Sequence, residues 1–212
     1  MEGVLGVVRD YLGLGRRRRA EAVTDPASLR RFIETRASYV AQTSLYGYLR
    51  TRAGLRYPEL FDDDPFVASV NIAKWQMWLA CLSDVSVYAG GMVARASDAP
   101  PQAVGQLMRD VVASILADTG VPDNAGPDYK ATADRVLERV ASCDWAAVAD
   151  GEAAFTESPP ALVRWAPIVD ELKEADEPIV VNSVRFRWKE VRDDLRRSLH
   201  AEAVLLSAGA KV

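Results

Sequence analysis

The sequence is poor in the side chains that most often carry enzymatic chemistry. Its 212 residues include one histidine, His200, and two cysteines, Cys81 and Cys143. One histidine does not supply the two Glu-x-x-His units of a di-iron site, and a Ser-His-Asp triad would have to use His200. The two cysteines form no C-x-x-C pair and predict neither a zinc site nor a disulfide framework, which favours a reducing compartment.

The signature motifs of common nucleotide-binding and hydrolytic sites are also missing. The chain has no G-x-x-x-x-G-K-[ST] loop, no G-x-G-x-x-G after a strand pattern and no G-x-S-x-G turn. We therefore assign no catalytic residue, no metal ligand and no cofactor. A non-enzymatic role is favoured, and an enzymatic role stays open.

What the chain does have is an uneven distribution of charge. Residues 1–56 hold eleven arginines, no lysine and five acidic residues, a net charge of +6. Residues 57–212 hold fifteen basic and twenty-five acidic residues, a net charge of −10. This polarity favours an anionic partner at one end of the molecule, or self-association into a homo-oligomer.

The pattern of apolar residues and helix start signals predicts an all-α protein, a bundle of six to seven helices. Residues 65–96 form its long central helix, with a bend expected at Gly90-Gly91. We divide the chain into an N-terminal arm, residues 1–23, and a single helical domain, residues 24–212. Helix starts are predicted at Thr24-Asp25-Pro26, Asp64-Pro65, Pro100-Pro101, Asp128, Asp144, Ser158-Pro159-Pro160 and Pro178, with Pro167 dividing or kinking a helix and the last helix reaching residue 206.

Residues 75–94 form one apolar run that approaches the length of a membrane span. Asp84 lies near its centre, and a carboxylate at mid-bilayer costs about 2.5 kcal/mol or more. The run is therefore interpreted as the buried central helix of the bundle. A buried Asp84 should have a raised pKa or a basic partner, for which Lys74 or an arginine from residues 50–56 would serve.

The first nineteen residues carry the clearest functional signal. On a helical wheel, apolar side chains cover one half of residues 1–15, and four consecutive arginines follow. An apolar face that ends in a cationic block is typical of a segment that binds an anionic membrane surface. The residues predicted to do so are Val4, Leu5, Val8, Tyr11, Leu12, Arg16, Arg17, Arg18 and Arg19. Docking of this arm on its own domain or on a protein partner is the alternative.

A second group of residues suggests a small-molecule pocket between helices. Tyrosines and tryptophans concentrate in residues 37–93 among scattered polar side chains, a mixture typical of ligand pockets. The same residues would equally serve as an ordinary core with satisfied hydroxyl and indole groups. The candidate pocket residues are Tyr39, Gln42, Tyr46, Asn71, Lys74, Trp75 and Asp84.

Residues 37–93, from ASYVAQTSLYGYLR to SVYAGGMV, resemble a family of uncharacterised helical proteobacterial proteins, some of which are labelled esterases. The resemblance implies a cytoplasmic bacterial protein and, through that label, an acyl-ester hydrolase. The chain departs from this expectation because it lacks the serine turn that such enzymes usually show. The resemblance implies no functional residue.

These observations predict a cytoplasmic protein at the inner face of the membrane, an adaptor, scaffold or assembly factor recruited to anionic lipid by its arm. Its acidic body would bind a protein partner or a second copy. The alternative is a helical bundle that binds a small molecule or lipid tail, or acts on it as a hydrolase, through the aromatic pocket at residues 39–88. Nucleic acid is a disfavoured partner because the rest of the chain is acidic and no nucleic-acid-binding motif is present.

Overall fold

The protein is an all-α bundle, as the sequence predicts. The structure, a computed structural model, describes residues 21–209, and within them it contains seven α-helices and no strand. The helices are α1 (Pro26–Ala53), α2 (Asp64–Arg95), α3 (Pro101–Thr119), α4 (Tyr129–Ala141), α5 (Ser158–Trp165), α6 (Asp170–Ser198) and α7 (Ala201–Ser207), with two short 3₁₀ helices at Gly54–Arg56 and Pro58–Asp62.

The start of α1 confirms the predicted capping signal. Asp25 is the N-cap residue, and its carboxylate accepts a hydrogen bond of 2.7 Å from the backbone N–H of Ser28. The Ser28 hydroxyl accepts in return from the Asp25 N–H at 3.1 Å. This capping box satisfies two N–H groups that a helix start leaves without partners, and Pro26 at the first helical position has no N–H to satisfy.

Helix α2 is the centre of the bundle, which confirms the prediction of a long core helix over residues 65–96. It packs against α1, α3, α4 and α5, and every residue from Gln76 to Gly91 is buried. Among the described residues it is the one helix long and apolar enough to cross a membrane, but 89% of its most apolar window is covered by the rest of the protein. We therefore treat α2 as a core helix.

The loop between α4 and α5 packs against the two glycines of α2. A Cβ atom at Gly90 would lie 2.2 Å from the Trp145 ring, and one at Gly91 would lie 2.3 Å from Val148. The glycines thus allow the loop to approach the helix closely, and α2 continues through them to Arg95 as one helix. The short helix predicted from Asp144 was wrong, because residues 142–157 form turns that insert Trp145 into the core.

The last third of the chain confirms the break predicted at Pro167 and corrects the helix start predicted at Pro178. Residues 166–169 separate α5 from α6, so Pro167 does divide this region into two helices. However, Pro178 lies inside α6 and does not open it, because α6 already begins at Asp170. Asp176 anchors this part of α6 to α1 by contacts with Arg52 and Tyr48, which offset the backbone hydrogen bond that Pro178 does not make.

The final helix does not run unbroken to residue 206, as the apolar pattern predicted. Leu199 is extended and forms an isolated bridge with Val23. The Val23 N–H donates to the Ser198 carbonyl at 2.8 Å, and the His200 N–H donates to the Val23 carbonyl at 2.9 Å. These bonds replace helical ones and tie the segment before α1 to the α6–α7 junction.

Candidate functional site

Asp84 is fully buried in the middle of α2 and receives five hydrogen bonds. Its Oδ2 accepts from the backbone N–H of Ser158 at 2.7 Å and from the Ser158 hydroxyl at 2.6 Å. Its Oδ1 accepts from the N–H groups of Thr156 and Glu157 at 3.1 and 3.0 Å. The carboxylate therefore caps the start of α5, where unpaired N–H groups and the helix dipole favour a negative charge.

The fifth donor is Arg139 of α4, which joins three parts of the fold. Its Nη1 donates to Asp84 at 2.8 Å and to the Ser83 hydroxyl at 2.9 Å. Its Nη2 donates to the Ala154 carbonyl at 2.8 Å and to the Thr156 hydroxyl at 3.1 Å. The prediction that Lys74 or an arginine of residues 50–56 pairs with Asp84 was therefore wrong. Arg52 pairs with Asp176 instead, and Lys74 lies elsewhere on α2.

Burial raises the pKa of Asp84, and hydrogen bonds from Ser158 and Arg139 oppose that shift. The sequence-based expectation of a raised pKa or a partner is thus confirmed on both counts. The Cys81 thiol, also fully buried, has its pKa raised well above its ordinary value by burial. A buried thiol that resists ionisation is a poor nucleophile.

Ser158 does not have the surroundings of a catalytic serine. It is buried, its hydroxyl donates to Asp84, and it accepts a 2.9 Å hydrogen bond from the indole N–H of Trp188. A serine nucleophile needs a base to take its proton and space for a substrate carbonyl. We interpret the Asp84–Arg139–Ser158 network as a structural junction of α2, α4, α5 and α6.

A cavity of about 560 Å³ opens between α2, α4 and α5, directly beside this network. The volume lies within the roughly 300–1,000 Å³ that small-molecule sites occupy. Apolar side chains and several charged ones share the lining, and Arg139 forms part of both the wall and the Asp84 network. The lining residues are Gln76, Leu79, Ala80, Ser83, Thr132, Arg135, Val136, Glu138, Arg139, Ser142, Glu157, Pro160, Ala161, Arg164 and Trp165.

Gln76 is the unusual member of this lining. Its side chain is 1% exposed, and its Nε2 has no hydrogen-bond acceptor among the described residues. Leaving a buried donor unpaired costs about 1–3 kcal/mol, so such groups are uncommon in folded proteins. Gln76 lines the cavity as a residue, while its Nε2 atom is covered by the protein.

The charged side chains around the cavity are two arginines and two glutamates besides Arg139. Arg135, Arg164, Glu138 and Glu157 are exposed, and none of them forms an ion pair with another described residue. Arg139 is different, because Asp84 neutralises it. The cavity thus combines apolar walls, a buried donor and balanced charges at its rim.

Among the sequence-predicted pocket residues, Lys74 contacts Asn71 and Trp75. Tyr39 and Gln42 of α1 are exposed, and Tyr46 is half-buried. On α2, Lys74 lies 4.8 Å from the centre of the Trp75 ring. The Trp75 indole N–H donates to Asn124 at 2.8 Å, outside the predicted set.

Asp84 is also remote from Lys74 and Trp75. Ten residues separate Lys74 from Asp84, which is roughly 15 Å along a helix. Asn71 accepts a long hydrogen bond of 3.5 Å from Lys74 and has no link to Asp84 in the described part of the chain. None of the seven predicted residues lines the α2–α4–α5 cavity or the second cavity of about 530 Å³ between α1, α3 and the end of α7.

The predicted membrane-binding residues lie outside the described residues. Val4, Leu5, Val8, Tyr11, Leu12 and Arg16 to Arg19 all precede Glu21. Their membrane-binding role stays a prediction.

Sequence reasoning missed this cavity because its residues come from three separated segments. Gln76 was visible as a polar residue inside an apolar run, which is a usable signal. The sequence carries no such signal for Arg135, Arg139 and Arg164, because arginines on amphipathic helices are ordinary surface residues. Only the packing of α4 and α5 on α2 places them around one space.

Comparison of the chain with protein-family models, with curated proteins and with solved structures finds no match.

Proposed function

We propose that this protein is a helical bundle that binds a small molecule in the cavity between α2, α4 and α5. The observation that supports this most strongly is the cavity itself, about 560 Å³ with a lining of apolar and charged side chains. The volume and the mixed lining are those of a ligand site, and the nearby Ser158 and Cys81 do not suggest catalysis.

The experiment fills the cavity and measures binding of a general amphiphilic probe, anilinonaphthalene sulfonate. Ala161 of α5 is half-buried and lines the cavity, so Ala161→Trp places an indole in the space. Ala131→Trp is the matched control, because Ala131 is exposed on α4 and does not line the cavity. We expect saturable fluorescence with the wild-type protein and Ala131→Trp, and an affinity lower by about tenfold or more with Ala161→Trp.

Folding of both variants is checked by circular dichroism and by their urea midpoints. If Ala161→Trp does not fold, Ala161→Leu fills part of the space at lower risk of overpacking. Equal binding by the wild type and a folded cavity-filled variant would contradict the proposal, and so would the absence of saturable binding to the wild type.

A second candidate function is recruitment to anionic lipid through residues 1–19. The observation that favours it is the sequence itself, an apolar helical face followed by Arg16 to Arg19. Each basic residue near an anionic surface contributes about 1 kcal/mol, so four give useful but reversible binding. On this proposal the protein acts at the inner face of the membrane as an adaptor, and its acidic body binds a protein partner or a second copy.

Sedimentation with phosphatidylglycerol vesicles tests this second function in the full-length chain. We expect the wild type to sediment at low salt and the double variant Leu5→Glu/Leu12→Glu to remain in solution. Leu55→Glu is the matched control, since Leu55 is a fully exposed leucine outside the arm. Equal sedimentation of wild type and double variant would remove this candidate.

A further inference from the structure

Helix α6 presents an apolar stripe to solvent. Leu172, Ile179 and Phe186 are 40%, 72% and 75% exposed. They are spaced seven residues apart, so at about 100° per residue they lie within roughly 40° of one another around the helix. The residues of α6 that pack into the core, among them Val184 and Trp188, lie on the opposite side. The stripe therefore faces away from the body of the protein.

The spacing of the stripe is that of a seam between two helices. A repeat of seven residues keeps apolar side chains in register along a pair of helices that wind slightly around each other. From Leu172 to Phe186 the stripe is about 21 Å long, at about 1.5 Å per residue. Ala175, one turn from Leu172 and from Ile179, is exposed as well and is small enough for a partner helix to approach closely. Contiguous exposed apolar surface of this kind marks an interaction site.

The charges beside the stripe change sign along the helix. Glu171 and Glu174 lie beside its first half, Arg185 and Lys189 lie beside its second half, and all four are exposed. At about 100° per residue the four lie within roughly 60° of one another, so they form a single flank of the stripe. The wider segments follow the same pattern. Residues 170–178 hold five acidic residues and one lysine, and residues 182–190 hold three basic residues and one glutamate.

This flank is separate from the contacts that hold α6 on its own molecule. Within the described part of the chain, the ion pairs of α6 involve other side chains, such as Asp176 with Arg52 and Arg196 with Asp150. The charges of the flank are therefore available to a partner that covers the stripe.

We propose that this face of α6, the stripe with its charged flank, binds the same face of a second copy in antiparallel orientation. A twofold axis near Ile179 would place the acidic half of each helix opposite the basic half of the other. A parallel pair would place like charges side by side. The inference goes beyond the proposed ligand site, because it concerns a different surface and does not depend on the cavity.

Other occupants match this face less well. A basic segment such as residues 16–19 would complement the acidic half and be repelled by Arg185 and Lys189. A uniformly acidic partner would complement the basic half alone. A second copy complements both halves at once and brings an apolar stripe of the same length.

Sedimentation equilibrium of the full-length chain tests the self-association. We expect the wild type to form dimers, and Phe186→Glu to raise the dimer dissociation constant by about tenfold or more, because a twofold interface contains each substitution twice. Leu206→Glu is the matched control, since Leu206 is a 63% exposed leucine on α7. It should dimerise like the wild type. Circular dichroism checks that each variant is folded.

Charge exchange tests the antiparallel orientation. Glu171→Lys/Glu174→Lys and Arg185→Glu/Lys189→Glu should each weaken the dimer by about tenfold, and the four substitutions together should restore it. A wild type that stays monomeric up to about 1 mM would overturn the proposal. So would equal dimerisation by Phe186→Glu, or by the two charge variants, or a fourfold variant that stays as weak as they are. Because none of these residues lines the cavity, each of these results leaves the proposed ligand site standing.

Discussion

Asp84 and Arg139 lie 55 positions apart in the sequence, and Oδ1 of the first is 2.8 Å from Nη1 of the second. The pair joins the central helix to α4, and the remaining hydrogen bonds of Asp84 hold the start of α5. The same Arg139 forms part of the cavity wall. The junction that stabilises the fold thus also sets the shape of the proposed ligand site.

Asp84→Asn should destabilise the protein strongly. The variant removes the negative charge that pairs with Arg139 and turns an amide group toward backbone N–H donors. Breaking a buried ion pair by removing one partner costs about 3–5 kcal/mol. The free energy of unfolding in urea measures the loss.

The matched control is Asp118→Asn, which removes an ion pair between Arg30 and a mostly exposed carboxylate. Exposed pairs contribute about 0–1 kcal/mol, so this variant should unfold almost like the wild type. A loss for Asp84→Asn no larger than that of the control would show that the Asp84 network does not hold the fold.

Gly90→Ala should also destabilise the protein. Its added Cβ would lie 2.2 Å from the ring of Trp145, so either the ring or the loop that carries it must move. Overpacking of this kind costs about 1–3 kcal/mol. The free energy of unfolding and the near-ultraviolet circular dichroism of the tryptophans measure the effect.

Gly47→Ala is also a glycine-to-alanine substitution inside a helix, but it should raise the stability of the protein. Gly47 lies inside α1, and its added Cβ would meet Arg187 at an ordinary 3.5 Å. Alanine inside a helix is favoured over glycine by roughly 0.5–1 kcal/mol, so stability should rise. If both substitutions changed stability by the same amount and sign, the close approach at Gly90 would have no energetic weight.

Asp150 should make stability depend on pH in the acid range. Hydrogen bonds from Arg196 hold the pKa of Asp150 below its ordinary value of 3.8, and Tyr88 donates to it at 2.8 Å. Because the folded pKa is lower than the unfolded one, the unfolded state binds more protons as pH falls. The contribution is therefore present above pH 3.8 and is lost as pH falls through the folded value.

The measurement compares the free energy of unfolding of the wild type with that of Asp150→Asn at different pH values. The wild type should be more stable at about pH 6, and the difference should shrink at about pH 3 as the carboxylate gains its proton. A difference that does not change with pH would assign the effect of Asp150 to packing. Added salt should reduce the difference as well, because the pair is about one-third exposed.

The fold was largely predictable because its signals are local. The capping sequence at Asp25, the apolar run of α2 and the break at Pro167 each depend on neighbouring residues in the chain. The errors arose where contacts between residues that are distant in the sequence determine where a helix begins or ends. Pro178 stays inside α6 while the neighbouring Asp176 contacts α1, and the helix breaks at Leu199 where Val23 pairs with it.

The candidate site was less predictable for the same reason. The sequence marked Asp84 as a buried acid and the structure confirms its burial, but its partner comes from α4, a helix with no distinctive motif. Aromatic composition favoured a pocket around Tyr39 and Trp75, yet composition does not specify which helix faces meet. Gln76 became informative only when the structure showed that its amide is buried without an acceptor.

The most direct test of the ligand site observes the side-chain amide of Gln76, which lines the cavity, by nuclear magnetic resonance during titration with anilinonaphthalene sulfonate. The chain has four glutamines, so the side-chain signals are assigned by single Gln→Asn substitutions, and exposed Gln42 is the internal reference. We predict a saturable shift of the Gln76 signal and no shift of the Gln42 signal. A Gln76 signal that does not move while the probe binds, or the absence of saturable binding of the probe, would contradict the assignment of this cavity as the functional site.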